Sequence, residues 1–292
     1  MEEQNWCTLS ILCGRGTKGY HYTVEKIQYS KKTELREGDK LVKLNGEPLS
    51  KYSPEEFCDR LPMSGGQGQR ECVAWEVEQN QGTEQYNEHG SASARCPMRS
   101  SFDVTIIVML CDAEMTVFHA DNDTVSVETC FYNVISCICK AVQVLHCGTY
   151  LGLTPEGPGF QNTNSEITML TLRTEKGEDF VGFRFPGDCF LKCGENGEID
   201  AMTDDTLLKI TKGEPPNDIK KTMENMKSSL FRREEVTDSC KFQSCKFPGH
   251  FLHKNGNMLA VGQYVTGGDC HFVLEGRIEM DCGKTLRLPC MP

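Results

Sequence analysis

Three segments in the second half of the chain place an aromatic-leucine pair a few residues before a turn glycine. They are CGTYLGLTPEGPG at 147–159, FPGDCFLKCGENGEI at 185–199 and FPGHFLHKNGNML at 247–259. The pairs are Tyr150-Leu151, Phe190-Leu191 and Phe251-Leu252, and the glycines are Gly157, Gly197 and Gly256. In the last two the turn is Asn-Gly, which supplies the positive φ angles of a tight hairpin. A chain that repeats a hairpin unit three times can bury its apolar faces in one three-fold barrel, so Leu151, Leu191 and Leu252 are expected to share an interior. The separations of 40 and 61 residues are unequal, which leaves chance likeness among short strands as the competing explanation.

The rest of the pattern is also β. FDVTIIVML, EMTVFHA, TVSVE, EITMLTLR, FVGFRF, SSLFRREE and HFVLEGRI have strand composition and are separated by turn residues, and the first 78 residues add TLSIL, HYTVEKI, DKLVKLNG and CVAWEV. One helix is marked: Ser53 precedes Pro54 and stands three residues before Glu56, a capping box with proline at the first helical position. Residues 79–103 lose nearly all large aliphatics and gain Gln, Asn, Ser and Gly, which predicts a linker between domains at 1–78 and 104–292.

Composition excludes several classes. With 292 residues there is room for two cores, and a net charge of -11 opposes nucleic acid and anionic lipid as main partners. The longest apolar run, VTIIVMLC at 104–111, is strand length and does not span a bilayer. The opening MEEQNWCTLSILC lacks the flanks of a signal peptide, so cytosolic synthesis is expected, with leaderless release if the protein acts outside cells. Seventeen cysteines, an odd number scattered through apolar contexts, read as reduced, buried small residues.

The run ILCGRGTKGYHY carries G-x-G-x-x-G at Gly14, Gly16 and Gly19. A dinucleotide loop needs these glycines to open a helix, whereas YHYTVEKIQY follows with strand spacing, so a nucleotide site is not expected. The downstream pattern LREGDKLVKLNGEPLSKYSPEEFCDRL, with Leu35, Gly38, Asp39, Leu41, Leu44, Asn45, Gly46, Leu49 and Ser53, resembles a PDZ domain. That resemblance would make Thr17, Lys18, Gly19 and Tyr20 the loop whose backbone amides bind a peptide carboxylate beside an added strand. Thr17 and Lys18 depart from the glycine and apolar residue usual there, and Pro54 and Glu55 stand where many members carry a histidine.

In the second half, FQSCKFPGHFL at 242–252 resembles the signature of the interleukin-1 cytokine family through Phe242, Ser244, Cys245, Pro248, Phe251 and Leu252. EPPNDIKKTMENMKSSLFRREE at 214–235 and EMTVFHADNDTVSVE at 114–128 are similar to the interleukin-18 branch. The resemblance implies a β-trefoil that binds the immunoglobulin-like ectodomain of an interleukin-1-type receptor. Its first hairpin falls either at 114–128 or in the VQVLHCGTYLGL segment. Many such proteins carry a pro-segment cut after aspartate by an inflammatory caspase, which makes Asp103, with Asp121 as the competitor, the processing site to test.

Catalytic and metal chemistry are not expected. The cysteine pairs Cys137/Cys139, Cys189/Cys193 and Cys240/Cys245 lack zinc-knuckle spacing, and no histidine stands in a nucleophile context. The expectation is a mainly β, non-enzymatic protein without cofactor, an N-terminal PDZ-like module before a C-terminal β-trefoil, acting as a cytokine or antagonist. The alternative is an intracellular adaptor whose PDZ-like module binds protein C-terminal peptides.

Overall fold

A computed structural model describes residues 6–29, 35–62, 70–79, 104–111, 113–120, 124–131, 133–173, 178–214, 225–263 and 267–275. The N-terminal strands are β1 (Trp6–Gly16), β2 (Gly19–Tyr29), β3 (Lys40–Leu44) and β4 (Glu47–Pro48), followed by a 3-10 turn at Leu49–Lys51, α1 (Pro54–Asp59) and β5 (Glu71–Glu78). The predicted capping box closes α1: the Glu56 amide donates to Ser53 Oγ at 3.2 Å and the Ser53 amide donates to Glu56 Oε2 at 2.8 Å. Then come β6 (Val104–Cys111), β7 (Glu114–Ala120), β8 (Thr124–Phe131) and the long β9 (Asn133–His146).

The strand pairing does not follow the expected division at 79–103. β6 pairs antiparallel with β1 from Val104↔Cys13 to Cys111↔Trp6, and β8 pairs with β5 from Thr124↔Glu78 to Phe131↔Glu71. Residues 104–131 therefore complete the N-terminal sheet, in the order β7, β8, β5, β3, β2, β1, β6, β9. Composition reads the stretch at 79–103 as poor in core-forming residues. It could not show that the strands on either side of it belong to one sheet, because strand pairing is non-local.

The alternation of β1 sends Cys7, Leu9, Ile11 and Cys13 to one face, where they pack with Tyr22, Phe57, Val73, Trp75 and Val77. Tyr22 stacks on Phe57 with ring centroids 5.0 Å apart, and the indole N–H of Trp75 donates to Thr129 Oγ1 at 3.1 Å. β6 is apolar on both faces. Val104, Ile106, Val108 and Leu110 enter this core, while Ile107 and Met109 enter a second one with Leu170, Leu172, Phe180, Phe190 and Leu230. That is why VTIIVMLC reads as an unbroken apolar run rather than an alternation.

The remaining elements are β10 (Thr149–Thr154), β11 (Gly157–Gln161), β12 (Ile167–Arg173), β13 (Asp179–Phe185), β14 (Cys189–Cys193), β15 (Ile199–Thr203), α2 (Asp205–Thr211), β16 (Phe231–Val236), β17 (Ser239–Ser244), β18 (Phe251–Asn255), β19 (Met258–Gly262) and β20 (Val273–Glu275). Five of these strands close a ring with β9. β9 pairs with β12, β12 with β13, β13 with β16 and β16 with β17; β17 meets the β20 segment through Cys240↔Phe272, and β20 returns to β9. The hairpins β10-β11, β14-β15 and β18-β19 lie outside the ring and complete three four-strand units. This is a β-trefoil-like region.

Leu151, Leu191 and Leu252 are all buried in one core with Phe183, Phe231, Phe242 and Phe272, as the three-fold reading requires. The unequal spacing has a plain cause: residues 204–230, including α2, intervene between β15 and β16. Of the two possible first hairpins, the VQVLHCGTYLGL segment supplies the trefoil's first strand pair, and Glu114–Ala120 and Thr124–Phe131 form β7 and β8 of the N-terminal sheet. β9 belongs to both parts. Its residues Ser136–Cys139 pair with β6 on one side and β12 on the other, so one sheet runs from the N-terminal half into the barrel.

The reading of every cysteine as reduced is corrected at one place. Cys72 and Cys130 are directly opposed on β5 and β8 and joined as a disulfide. Opposed strand positions bring Cβ atoms within bonding reach, a relation invisible across 58 residues of sequence. Among the described residues no helix is long and apolar enough to cross a membrane.

Candidate functional site

The glycine run does not open a helix. Gly14, Gly16 and Gly19 lie in the β1-β2 hairpin, paired as Gly14↔His21 and Gly16↔Gly19, with Thr17 and Lys18 as its exposed two-residue turn. Gly19 has φ 113°, and a Cβ there would collide with the Ser50 carbonyl oxygen. The close approach of the Leu49–Lys51 turn thus accounts for this glycine by itself.

The same geometry bears on the carboxylate loop at Thr17, Lys18, Gly19 and Tyr20. A peptide strand needs a free edge of β2. One edge is paired with β1 along its length, and the other meets β3 at Tyr22↔Leu41 and Thr23↔Lys40, with Val24 bonded to both Gly38 and Asp39. Beyond that, Gly19 abuts Ser50. A small cleft of about 150 Å³ remains beside the turn, between Arg15, Tyr20 and the start of α1 at Pro54 and Glu55.

The signature residues come together at the corner between β17 and β18. Phe242 is buried edge-on against Phe183 at 4.9 Å, and Leu252 enters the same core. Ser244 is 2 % exposed. Its amide donates to the His250 carbonyl at 2.9 Å, its Oγ accepts from the Phe247 amide at 3.2 Å, and its hydroxyl donates to Cys193 Sγ at 3.6 Å. Pro248, exposed, and Phe251, half-buried, shape the turn between them. The motif builds a barrel corner. Its residues that face inward cannot also face a partner.

Two larger clefts flank this framework. One, about 400 Å³, lies at the barrel side under α1 and is lined by Lys140, Asp179, Arg233, Glu235 and Glu55 around Val142, Val181 and Leu274. Arg173 stands near it, holding Asp179 through two bonds of 2.7 Å and pairing also with Asp59 at the end of α1. These carboxylates hold the Arg173 guanidinium above its already high ordinary pKa. The other cleft, open and about 750 Å³, lies between the β14-β15 hairpin and the β17-β18 corner, where Lys246 bonds Glu195 at 2.8 Å. That pairing pulls the Glu195 carboxyl below its usual range. Leu153, Met202 and Val273, on β10, β15 and β20, are large apolar side chains exposed on the trefoil.

Most other polar groups serve the frame. Asp204, invisible as a cap in the sequence because its helix is only seven residues long, accepts from the Thr206 and Leu207 amides and from the Ser229 hydroxyl at 2.8 Å. Burial pushes the thiols of Cys7, Cys13 and Cys58 up to about 12 and that of Cys245 up to about 11. Cys137 lies 3.9 Å from Cys139 across alternate positions of β9. Cys72, Glu128 and Cys130 cluster at metal-ligand distances, but the disulfide occupies both sulfurs. Asp103 and Asp121 lie outside the described residues.

No family model matches the chain, and no curated protein matches it by sequence. Among solved structures it is similar to a mutant of Gallus interleukin-1 beta, at 14% identity and a TM-score of 0.37, over 47% of this chain and 96% of the other. It is similar to the pro-inflammatory cytokine interleukin-36alpha at 16% identity and a TM-score of 0.32, over 46% and 92%. A third likeness, to the GlcNAcα1-4Gal releasing endo-β-galactosidase of Clostridium perfringens, spans 94% of this chain and 72% of the other at 9% identity and a TM-score of 0.34. At these scores the trefoil rests on the strand ring and shared core themselves, and none of the three lends support to a PDZ-like N-terminal part.

Proposed function

We propose that the protein is a ligand of the interleukin-1 kind, a cytokine or antagonist, that binds an immunoglobulin-like receptor ectodomain through its trefoil surface. The observation that carries this reading is the signature segment 242–252, which forms the β17-β18 corner of a closed three-unit barrel whose core holds Leu151, Leu191 and Leu252. A protein of this kind needs a rigid scaffold that presents loops and strand faces, and the exposed Leu153, Met202 and Val273 are apolar anchors of the sort that interfaces use.

The test uses the full chain, because residues 104–131 need their N-terminal partners. Immobilised interleukin-1-type receptor ectodomains are screened by surface plasmon resonance. Saturable binding to at least one is expected, and weakening of at least about tenfold in a Leu153→Asp/Met202→Asp double variant with unchanged circular dichroism. Absence of saturable binding to every such ectodomain at about 10 μM sinks the reading. The adaptor reading has less to carry it, since the Ser50 carbonyl packs against Gly19 in the loop that would receive the peptide carboxylate.

A further inference from the structure

His146 and Cys147 sit where β9 turns into β10, and neither lines the two larger clefts. His146 is 4 % exposed, packed against the rings of Phe160 and Phe272. Its Nδ1 lies 3.0 Å from the His271 carbonyl oxygen. A carbonyl only accepts, so Nδ1 carries the proton and Nε2 of the neutral ring presents a lone pair. That Nε2 faces Cys147 Sγ at 3.5 Å and Asp269 Oδ1 at 3.9 Å. A buried imidazole with one nitrogen tethered and the other aimed at a thiol is the arrangement that activates cysteine nucleophiles.

The thiol is reachable. Among the free cysteines of the described residues Cys147 is the exposed one, the rest being buried or half-buried. It also holds a left-handed backbone, φ 47°, beside Gly148 at φ 75°, where a two-residue hairpin turn favours Asn or Asp before Gly. Among the described residues the charged groups beside the pair are Asp269 on the turn before β20 and Lys254 of β18. Lys254 bonds the Thr149 hydroxyl, which itself donates to the His146 carbonyl.

We propose that Cys147 is a reversible thiol-modification site, a nucleophile toward low-molecular-weight disulfides of the glutathione class, with His146 as its base. The Cys147 proton passes to His146 Nε2, where Asp269 steadies the imidazolium. The thiolate attacks one sulfur of the disulfide; a bond forms from Cys147 Sγ to that sulfur as the original S–S bond breaks. The departing thiolate takes the proton back from His146. Cys147 is oxidised to a mixed disulfide and one glutathione is released reduced, so atoms and electrons balance.

The test exposes the full chain to glutathione disulfide, quenches with acid and maps the modified peptides over time. In the folded chain Cys147 is expected to react at least about tenfold faster than in the urea-unfolded chain at the same pH. Asp269→Asn, at a side chain 64% exposed, is expected to move the pH midpoint of reactivity downward, because without the carboxylate the imidazolium and the thiol both give up their protons at lower pH. His146→Gln is expected to reduce the rate to that of the unfolded chain; if that variant does not fold, the Asp269→Asn profile decides. A Cys147 that reacts no faster folded than unfolded, or an Asp269→Asn profile that coincides with the parent's, overturns the proposal.

Discussion

Gly19 shows how a single residue can be read two ways until its neighbours are known. The motif G-x-G-x-x-G suggests a phosphate loop, the PDZ resemblance suggests a carboxylate loop, and the structure puts the Ser50 carbonyl where a Cβ would have to be. Gly19→Ala is therefore expected to destabilise the fold by more than ~1 kcal/mol, from the left-handed backbone and the clash together, measured by urea unfolding. The buried thiols act at the same scale. Cys7, Cys13 and Cys58 have folded pKa values raised from an ordinary 9.0 to about 12. The folded state holds these protons longer than the unfolded one, so their contribution is complete below about pH 9 and falls as pH rises toward 12. Each group would then cost about 1.4 kcal/mol per pH unit in that window. Urea midpoints that do not fall between pH 8.5 and 10.5, on the order of two units apart, would contradict this.

At the scale of elements, β6 and β9 decide the architecture. The unbroken run of β6 is legible in sequence as a strand buried on both faces, yet which core each face enters is not. Ile107→Asp and Val108→Asp test this directly. Both are expected to abolish folding or cost at least about 3 kcal/mol, because each buries an unpaired charge, whereas a one-sided strand would tolerate one of the two. In the barrel, Leu191→Ala is expected to cost about 2–5 kcal/mol by cavity formation, with Leu252→Ala similar, since both reach the same interior. Equal tolerance of these changes and of Leu153→Ala at the exposed β10 position would argue against a shared core.

At the scale of the molecule, the two halves are one folding partnership rather than two beads. β1 and β5 pair with β6 and β8 across the polar stretch, and Arg173 ties the end of α1 to β12 and β13. Separately encoded fragments 1–79 and 104–292 are thus expected to co-purify under reducing conditions, and 104–292 alone to aggregate, since it would expose the apolar β6 edge and face. Soluble, monomeric 104–292 would refute the partnership. The same pairing bears on processing: a cut after Asp103 leaves these strands held together, so a nick there is not expected to release a free trefoil.

Much was legible in the residues alone. Strand positions, the Ser53-capped helix and the meeting of Leu151, Leu191 and Leu252 follow from period-two patterning, capping chemistry and turn residues, all of which act within a few residues of chain. The partners of β6 and β8, the Cys72-Cys130 link, the packing of Ser50 on Gly19 and the approach of His146 to Cys147 and Asp269 came only from the tertiary structure. Local preference determines what each segment can be. Which segments lie side by side depends on how distant apolar faces are most fully covered, and no stretch of the chain read alone carries that information.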